Sequence, residues 1–414
     1  MKKDKGKQEF LSLLTEWRRD FHRHPELSGS EKRSSAIIQT ALARMGVEYQ
    51  TYSGHAGVVG IIRGRQPGPV VALRADMDAL PIHEDSKEAY RSVYDGVMHA
   101  CGHDAHMAIL LGAATLLSRS PDFSGTVKLI FQPAEEAAPI GGAQAMMDDG
   151  VLESPAVDAI FGLHVWPELP TGEIGIRSGA MMAASDRFMV KLFGKGAHGA
   201  MPHQGIDAIE MMTDVIQGFN HIMNRQISPL EIATLNIGTV VGGERYNVVP
   251  KEVTLEGTVR TFGDSVRQEI PERMKRVLEG IAQAHAGNFT LDYHFGYPSL
   301  SNWGKPFEVV VEAAQSVLGS EHVHTSPDPA LGGEDFARYL TRVPGAFFWL
   351  GCSGSGKGNY PLHNSGFDID EDCLPIGAEL MVQTALRALA FYQQSAKQRD
   401  EIRLLPSLID SMRR

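Results

Sequence analysis

The chain has 414 residues, 43% hydrophobic and 21% charged, with a formal net charge of −11. That length is more than one domain usually needs, and the acidic balance argues against nucleic acid or an anionic membrane surface as partner, since either requires a basic face. Three cysteines (Cys101, Cys352, Cys373) are too few for a disulfide framework and fit a reducing compartment. The basic start is followed by no signal-peptide core, and no run of about 18 apolar residues offers a membrane span, so a cytoplasmic protein is expected.

In chain order, residues 8–24 form an amphipathic helix, with Phe10, Leu13, Leu14, Trp17 and Phe21 at helical spacing and Pro25 blocking continuation. A second helix runs to about Met45; Ser28 and Glu31 have capping-box spacing at its start, and Gly46 is placed to end it. Strands follow at 58–62 and 70–74. The second runs into Asp76 and Asp78, carboxylates on one side of extended chain just past a strand's carboxyl end, where open α/β sheets place ligands. An Asx turn before Pro81 is the purely structural alternative.

Residues 98–106 are the densest chemical stretch: His99, Cys101, His103, Asp104 and His106, with Gly102 free to bend. A bend there aims the Cys101 sulfur and a His103 nitrogen at one point, a pair suited to Zn²⁺ or another divalent ion. A buried cysteine beside surface histidines would give the same letters. A helix over 105–117 and a core strand over 127–131 come next, and the strand ends in Glu135 and Glu136. Neighbouring carboxylates point in different directions, so one can bind metal while the other faces water; a solvated acidic pair is the bland reading. A helix over 141–150 and a strand over 159–167 follow, the latter carrying His164, either a core histidine or a ligand.

From residue 185 the pattern changes. Strand 187–193, a glycine turn with His198, helix 206–224, strands 233–240 and 253–261, helix 266–285 and strand 289–295 give the order β-α-β-β-α-β of a ferredoxin-like unit. Residues 185–300 are therefore read as an inserted domain. An α/β domain, with a mixed sheet flanked by helices, is split into 1–184 and 301–414. Its second part holds a helix over 307–318, Gly332 and Gly333, a strand over 345–351, a lone His363 and a terminal helix over 376–394; residues 395–414 look peripheral.

With these residues assembled, the chain resembles the M20 metallopeptidase family, in its aminoacylase/amidohydrolase branch. Segments from Phe21–Leu27 to Pro375–Gly377 match. The most specific are Leu73–Pro81, His99–His106, Phe131–Glu136, Gly162–Pro167, Gly194–Pro202, Asn247–Pro250, Gly333–Phe336 and Leu362–Asn364. The resemblance implies a zinc-peptidase-like catalytic domain in 1–184 and 301–414, a lid and dimerisation domain in 185–300, and two divalent metal ions per subunit (Zn, Mn, Co or Ni). Cys101 would bridge them, His103 and His164 completing one and Glu136 and His363 the other. Glu135 would be the general base and Asp78 an orienting carboxylate. Asp76 stands where other branches have a metal-binding histidine, its role having moved to His103. His198 resembles an oxyanion-binding histidine donated across a homodimer interface, a tetramer remaining open, and Asn247 looks similar in role.

A substrate carboxylate needs a cation, for which Arg260 is the candidate, and Gly332 and Gly333 would allow close approach of substrate. The activity implied is deacylation of N-acyl amino acids. A carboxypeptidase or dipeptidase, or a binding protein that keeps the fold, are the alternatives. Two departures from the branch, Ala137–Ile140 in place of a glycine-rich run and Ser365 in place of proline, are expected to border the pocket.

Overall fold

The computed structural model describes residues 2–354 and 356–412, with side chains described for 5–354 and 356–395. Helices α1 (Lys2–Arg23) and α2 (Lys32–Arg44) lead into strands β1 (Glu48–Thr51), β2 (Val58–Arg63) and β3 (Gln66–Asp76). Helix α3 (His103–Arg119), β4 (Ser124–Gln132), α4 (Gly142–Asp148), β5 (Ala159–Pro170), β6 (Ile174–Gly175) and β7 (Gly179–Met182) follow. The middle of the chain holds β8 (Ala184–Phe193), β9 (Ala197–His198), α5 (Ala208–His221), β10 (Ala233–Gly242), β11 (Val248–Val249), β12 (Glu252–Thr261), α6 (Asp264–His285) and β13 (Asn288–Tyr297). It closes with β14 (Leu300–Asn302), α7 (Gly304–Leu318), β15 (Val323–His324), α8 (Ala337–Leu340), β16 (Gly345–Ser353) and α9 (Cys373–Met412).

The main sheet has eight strands in the order β1-β2-β4-β3-β5-β16-β6-β15. Its centre is parallel (β3 with β4 and β5, β5 with β16), while β1, β2 and the β2–β4 pair are antiparallel, so the sheet is mixed as expected. Parallel strands covered on both faces need apolar runs, and Val70–Leu73, Leu129–Phe131 and Ala346–Leu350 supply them. Helices α3 and α9 bury Ile109, Leu110, Leu111, Leu374, Met381 and Ala385 in the main core. The stretch Cys373–Ser395 of α9 has the length and hydropathy of a membrane span, yet these apolar side chains are core residues.

A second, four-stranded antiparallel sheet runs in the order β10-β12-β8-β13. Strand β8 alternates buried and partly exposed residues, the period-two pattern of a sheet with one dry face. Phe188, Val190 and Leu192 from it pack with Met211, Val215 and Phe219 of α5 and Met274 and Leu278 of α6 in a separate core.

The structure departs from the sequence expectations in places. No capping box forms at α2: Glu31 is the residue before the helix and caps nothing with its side chain. Its carboxylate instead accepts from Gly29 N–H (2.9 Å) and Ala134 N–H (2.8 Å), and Ser28 Oγ donates to Asp78 (2.6 Å). Both side chains are diverted toward the ends of the central strands. Helix α9 also runs on through the tail to Met412; the side chains beyond 395 lie outside the described residues.

Candidate metal centre

Gly102 sits at the bend, just before α3, in the left-handed region (φ +85°), and a Cβ there would lie 2.3 Å from Val165 Cγ2. Only glycine fits both restraints. The bend places Cys101 and His103 beside the carboxyl ends of β3, β4 and β5.

The Cys101 sulfur lies 3.3 Å from His164 Nε2 and 3.3 Å from His363 Nε2, and His363 Nε2 is 3.1 Å from Glu136 Oε1. The donor atoms of Cys101, His103 and His164 lie within 4.8 Å of one another, as do those of Cys101, Glu136 and His363. Two triads thus share one sulfur. Ring orientation is fixed from behind. His103 Nδ1 is 2.8 Å from the Asp78 carbonyl and His164 Nδ1 is 2.7 Å from the Val165 carbonyl. A carbonyl only accepts, so each Nδ1 carries hydrogen and each Nε2 faces the sulfur side, the arrangement metal-ligating histidines need. His363 is held at φ +65°, an uncommon conformation for a non-glycine residue and one that clusters at functional sites.

The donors fit divalent cations. Buried His103 Nε2 and Glu136 Oε1 have no hydrogen-bond partner, a costly state that a bound ion removes. Burial opposes charge on His103, but Asp76, Asp78 and Glu136 outweigh it and raise its pKa to about 10; the added proton takes the Nε2 position a cation would occupy. Burial, then Glu136 and Glu135, push the Cys101 thiol well above its ordinary value. A divalent ion reverses that by binding the thiolate.

The neighbouring imidazoles are sorted by their partners. His106 accepts from Val165 N–H at Nε2 (2.9 Å) and donates from Nδ1 to Asp76 (2.6 Å), so both nitrogens are used. His99 is buried with neither nitrogen hydrogen-bonded, and burial lowers its pKa to about 4, which keeps it neutral.

Asp76 and Asp78 diverge. Asp76 receives Arg74 Nη1 (2.7 Å) as well as His106. Asp78 accepts from the Glu135 N–H (3.0 Å), the Glu136 N–H (2.9 Å) and Ser28, so it fixes the backbone of both glutamates. Glu135 is buried; burial, then Glu334 and Glu136, drive its pKa well above the usual carboxylate range. Its Oε1 accepts from the Asp335 N–H (3.3 Å), and Tyr297 donates its hydroxyl to the Glu135 carbonyl. Behind it Arg74, wholly buried, binds Gln132, Asp76, Glu334 and Asp335. Sequence reasoning passed over Arg74 and Tyr297; a lone arginine inside an apolar strand was the available signal for the first, and nothing marked the second.

A cavity of about 380 Å³ opens over this set, lined by Cys101, Glu135, Glu136, His164 and His363, and by Arg260, Ser185 and Tyr297 from the second sheet. Arg260 makes no hydrogen bond or ion pair among the described residues, and burial lowers its pKa, opposed by Asp186. Gly332 and Gly333 line the same cavity. A Cβ on Gly333 would lie 2.9 Å from Ser185 Cβ and 3.4 Å from Arg260 Nη1, whereas Gly332 has only Met182 Cε, at 3.5 Å, close by. Of the two departures, Ala138 borders the cavity; Ser365 turns away to Asp85.

His198 and Asn247 are not brought here. His198 is exposed on β9, which pairs with β11 beside Asn247, and its Nδ1 accepts from Ala200 N–H (3.0 Å); neither residue lines the cavity.

The model of Peptidase family M20/M25/M40 matches residues 72–387. The chain belongs to this family. It is 41% identical over 382 residues to N-acetylcysteine deacetylase of Bacillus subtilis (strain 168), covering 92% of this chain and 98% of that protein. It is 38% identical over 375 residues to thermostable carboxypeptidase 1 of Saccharolobus solfataricus, covering 90% and 94%. The crystal structure of Bacillus subtilis YXEP protein, a dinuclear metal binding peptidase of the M20 family, superimposes with a TM-score of 0.81 at 37% identity over 92% of this chain and 99% of that one. This M20 protein is therefore a hydrolase of the mixed-sheet, dinuclear-metal type.

Proposed function

We propose that this M20 hydrolase cleaves the amide bond of N-acyl amino acids to a carboxylate and a free amino acid. Two divalent ions would be held, one by Cys101, His103 and His164 and the other by Cys101, Glu136 and His363. The observation that carries the reading is the pair of triads sharing one sulfur, with Glu135 beside them and an unengaged Arg260 in the same cavity. Ions bound there supply a lowered pKa for water and a polarised substrate carbonyl.

The chain's own groups do the rest. Glu135, whose burial makes its carboxyl hold a proton strongly, takes one from the attacking water and returns it to the leaving nitrogen. Asp78 and Tyr297 keep its main chain in place. Arg260 binds the substrate carboxylate, and Gly333 leaves it room. His198 and Asn247 complete the site from a second copy of the chain, residues 185–300 serving as lid and dimerisation domain on a catalytic domain of 1–184 and 301–414. The compartment is cytoplasmic, a reading supported by three free, buried cysteines.

Chelator-stripped protein, reloaded separately with Zn²⁺, Mn²⁺, Co²⁺ or Ni²⁺, should release amine from N-acyl amino acids faster than from dipeptides. Preference for dipeptides favours the peptidase reading, to which the carboxypeptidase relative lends weight. His198→Ala mixed with Glu135→Gln should regain activity through mixed dimers; silence of the mixture at any ratio removes the donation of His198 from a second copy.

A further inference from the structure

The cavity over the donor set has two different continuations. On the side of the second sheet it shares Ala138, Ser185 and Arg260 with a groove along β8, β10 and β12 that carries charge of both signs at Asp186, Arg187 and Glu256. On the other side it shares Trp166 and Leu362 with a separate trough of about 480 Å³. These two residues flank the proposed ligands, being two residues from His164 and adjacent to His363; the His164 and Trp166 rings lie 6.1 Å apart. Trp166 stacks on Trp349 at 4.2 Å with planes 9° apart, and Pro329, Leu331 and Pro361 also line the trough. Its charged members, Glu168 and Asp328, are exposed and both acidic. Leu331 is 47% exposed, an apolar side chain left in solvent beside Gly332.

An N-acyl amino acid has its carboxylate on the amine side of the scissile bond and its acyl chain on the other. Resting on the function proposed above, a carboxylate at Arg260 and an amide at Glu135 leave the acyl chain to run past Trp166 and Leu362. We infer that this trough is the acyl subsite, and that the enzyme selects uncharged, apolar acyl groups of several carbons over acetyl or dicarboxylic ones. Stacked indoles, prolines and leucine gain from covering methylenes, while two carboxylates at the rim repel an anionic acyl terminus.

The test is kcat/KM of the metal-loaded protein for N-acetyl-, N-butanoyl-, N-hexanoyl- and N-succinyl-methionine. Burial of each methylene is expected to raise kcat/KM by up to about fourfold, giving at least a tenfold rise from acetyl to hexanoyl, with succinyl below butanoyl. Leu331→Asp puts a third carboxylate in the trough at an exposed position and should cut the hexanoyl-to-acetyl ratio about tenfold. A flat or falling chain-length profile with good acetyl turnover, or a ratio untouched by Leu331→Asp, overturns the subsite and leaves the amidohydrolase reading standing. Turnover of no acyl derivative, beside turnover of dipeptides, overturns that reading and the subsite with it.

Discussion

Two buried polar clusters, both built from carboxylates and imidazoles, end in opposite states. Around Arg18 each carboxylate meets a cation: the guanidinium, wholly buried, reaches Asp104 (2.8 Å), Asp368 (2.7 Å) and Glu371 (3.3 Å), and His22 adds a contact to Asp104, whose Oδ1 alone has no hydrogen bond. Around Cys101 no lysine or arginine among the described residues pairs with the donors, and a thiol, three imidazoles and a carboxylate converge with Nε2 of His103 and Oε1 of Glu136 lacking a hydrogen bond. The first cluster is met by its own cations; the second offers its donors to an ion, as proposed above. A polar cluster left open in a well-packed interior is thus a stronger pointer to a ligand than the residue types alone, which the two clusters largely share.

The widest separation is expected in activity. Glu135→Gln keeps the shape of the open cluster but cannot carry a proton, and should lower kcat by about 10²–10⁴, with metal content by elemental analysis unchanged. Persistent turnover would remove Glu135 as base. Next comes Arg18→Met, which strips the buried Asp104 of its guanidinium while Asp368 keeps Lys357 and Glu371 keeps Arg19, and should cost about 3–5 kcal/mol in denaturant unfolding; a small loss would mean that the closed cluster is not held by charge. Glu136→Gln tests the opposite behaviour. The metal-free protein should be no less stable than wild type, while the stabilisation from added ions, about 2.7 kcal/mol at a hundredfold excess over Kd, should shrink together with metal stoichiometry. Equal destabilisation by Arg18→Met and Glu136→Gln without metal would erase the contrast.

The smallest effect is in acid. Burial pushes the Asp368 pKa up, but Arg18, Tyr90 and Lys357 outweigh it and lower it to about 2. A folded-state value below the unfolded one gives stability that is present above pH ~4 and lost as pH falls toward 2, about 2 kcal/mol for this group. Urea midpoints of wild type and Asp368→Asn should therefore differ at pH 6 and converge near pH 2.

The site was legible where chemistry follows an apolar strand. Glu135, Glu136 and His164 each sit at or just beyond a strand's buried run, and a parallel sheet delivers such ends to one edge. Cys101 and His103 were legible through Gly102. What stayed hidden came from long-range pairing. Ser28 and Glu31 have the letters of a helix cap, and only the approach of Asp78 and Ala134, 50 and 103 residues away, diverts them. Tyr297 meets Glu135 across 162 residues through the junction of two sheets, which no local pattern encodes. The second sheet's element order could be read because its strands alternate, while β6, β9, β11 and β15, two residues each, are too short to show any period.

The shared sulfur has a mechanical consequence. Cys101 touches a residue 63 positions downstream and another 262 positions downstream. A cation gripped there acts as a removable cross-link, and cross-links across long loops restrict the unfolded chain most in entropic terms. The entire second sheet lies inside the larger loop. A backbone nick near Leu230, which is 93% exposed, would therefore leave two fragments clasped through residues 101 and 363. Chelation would release the clasp, so the same ions that equip the site for chemistry would also hold the split halves of the main sheet in register.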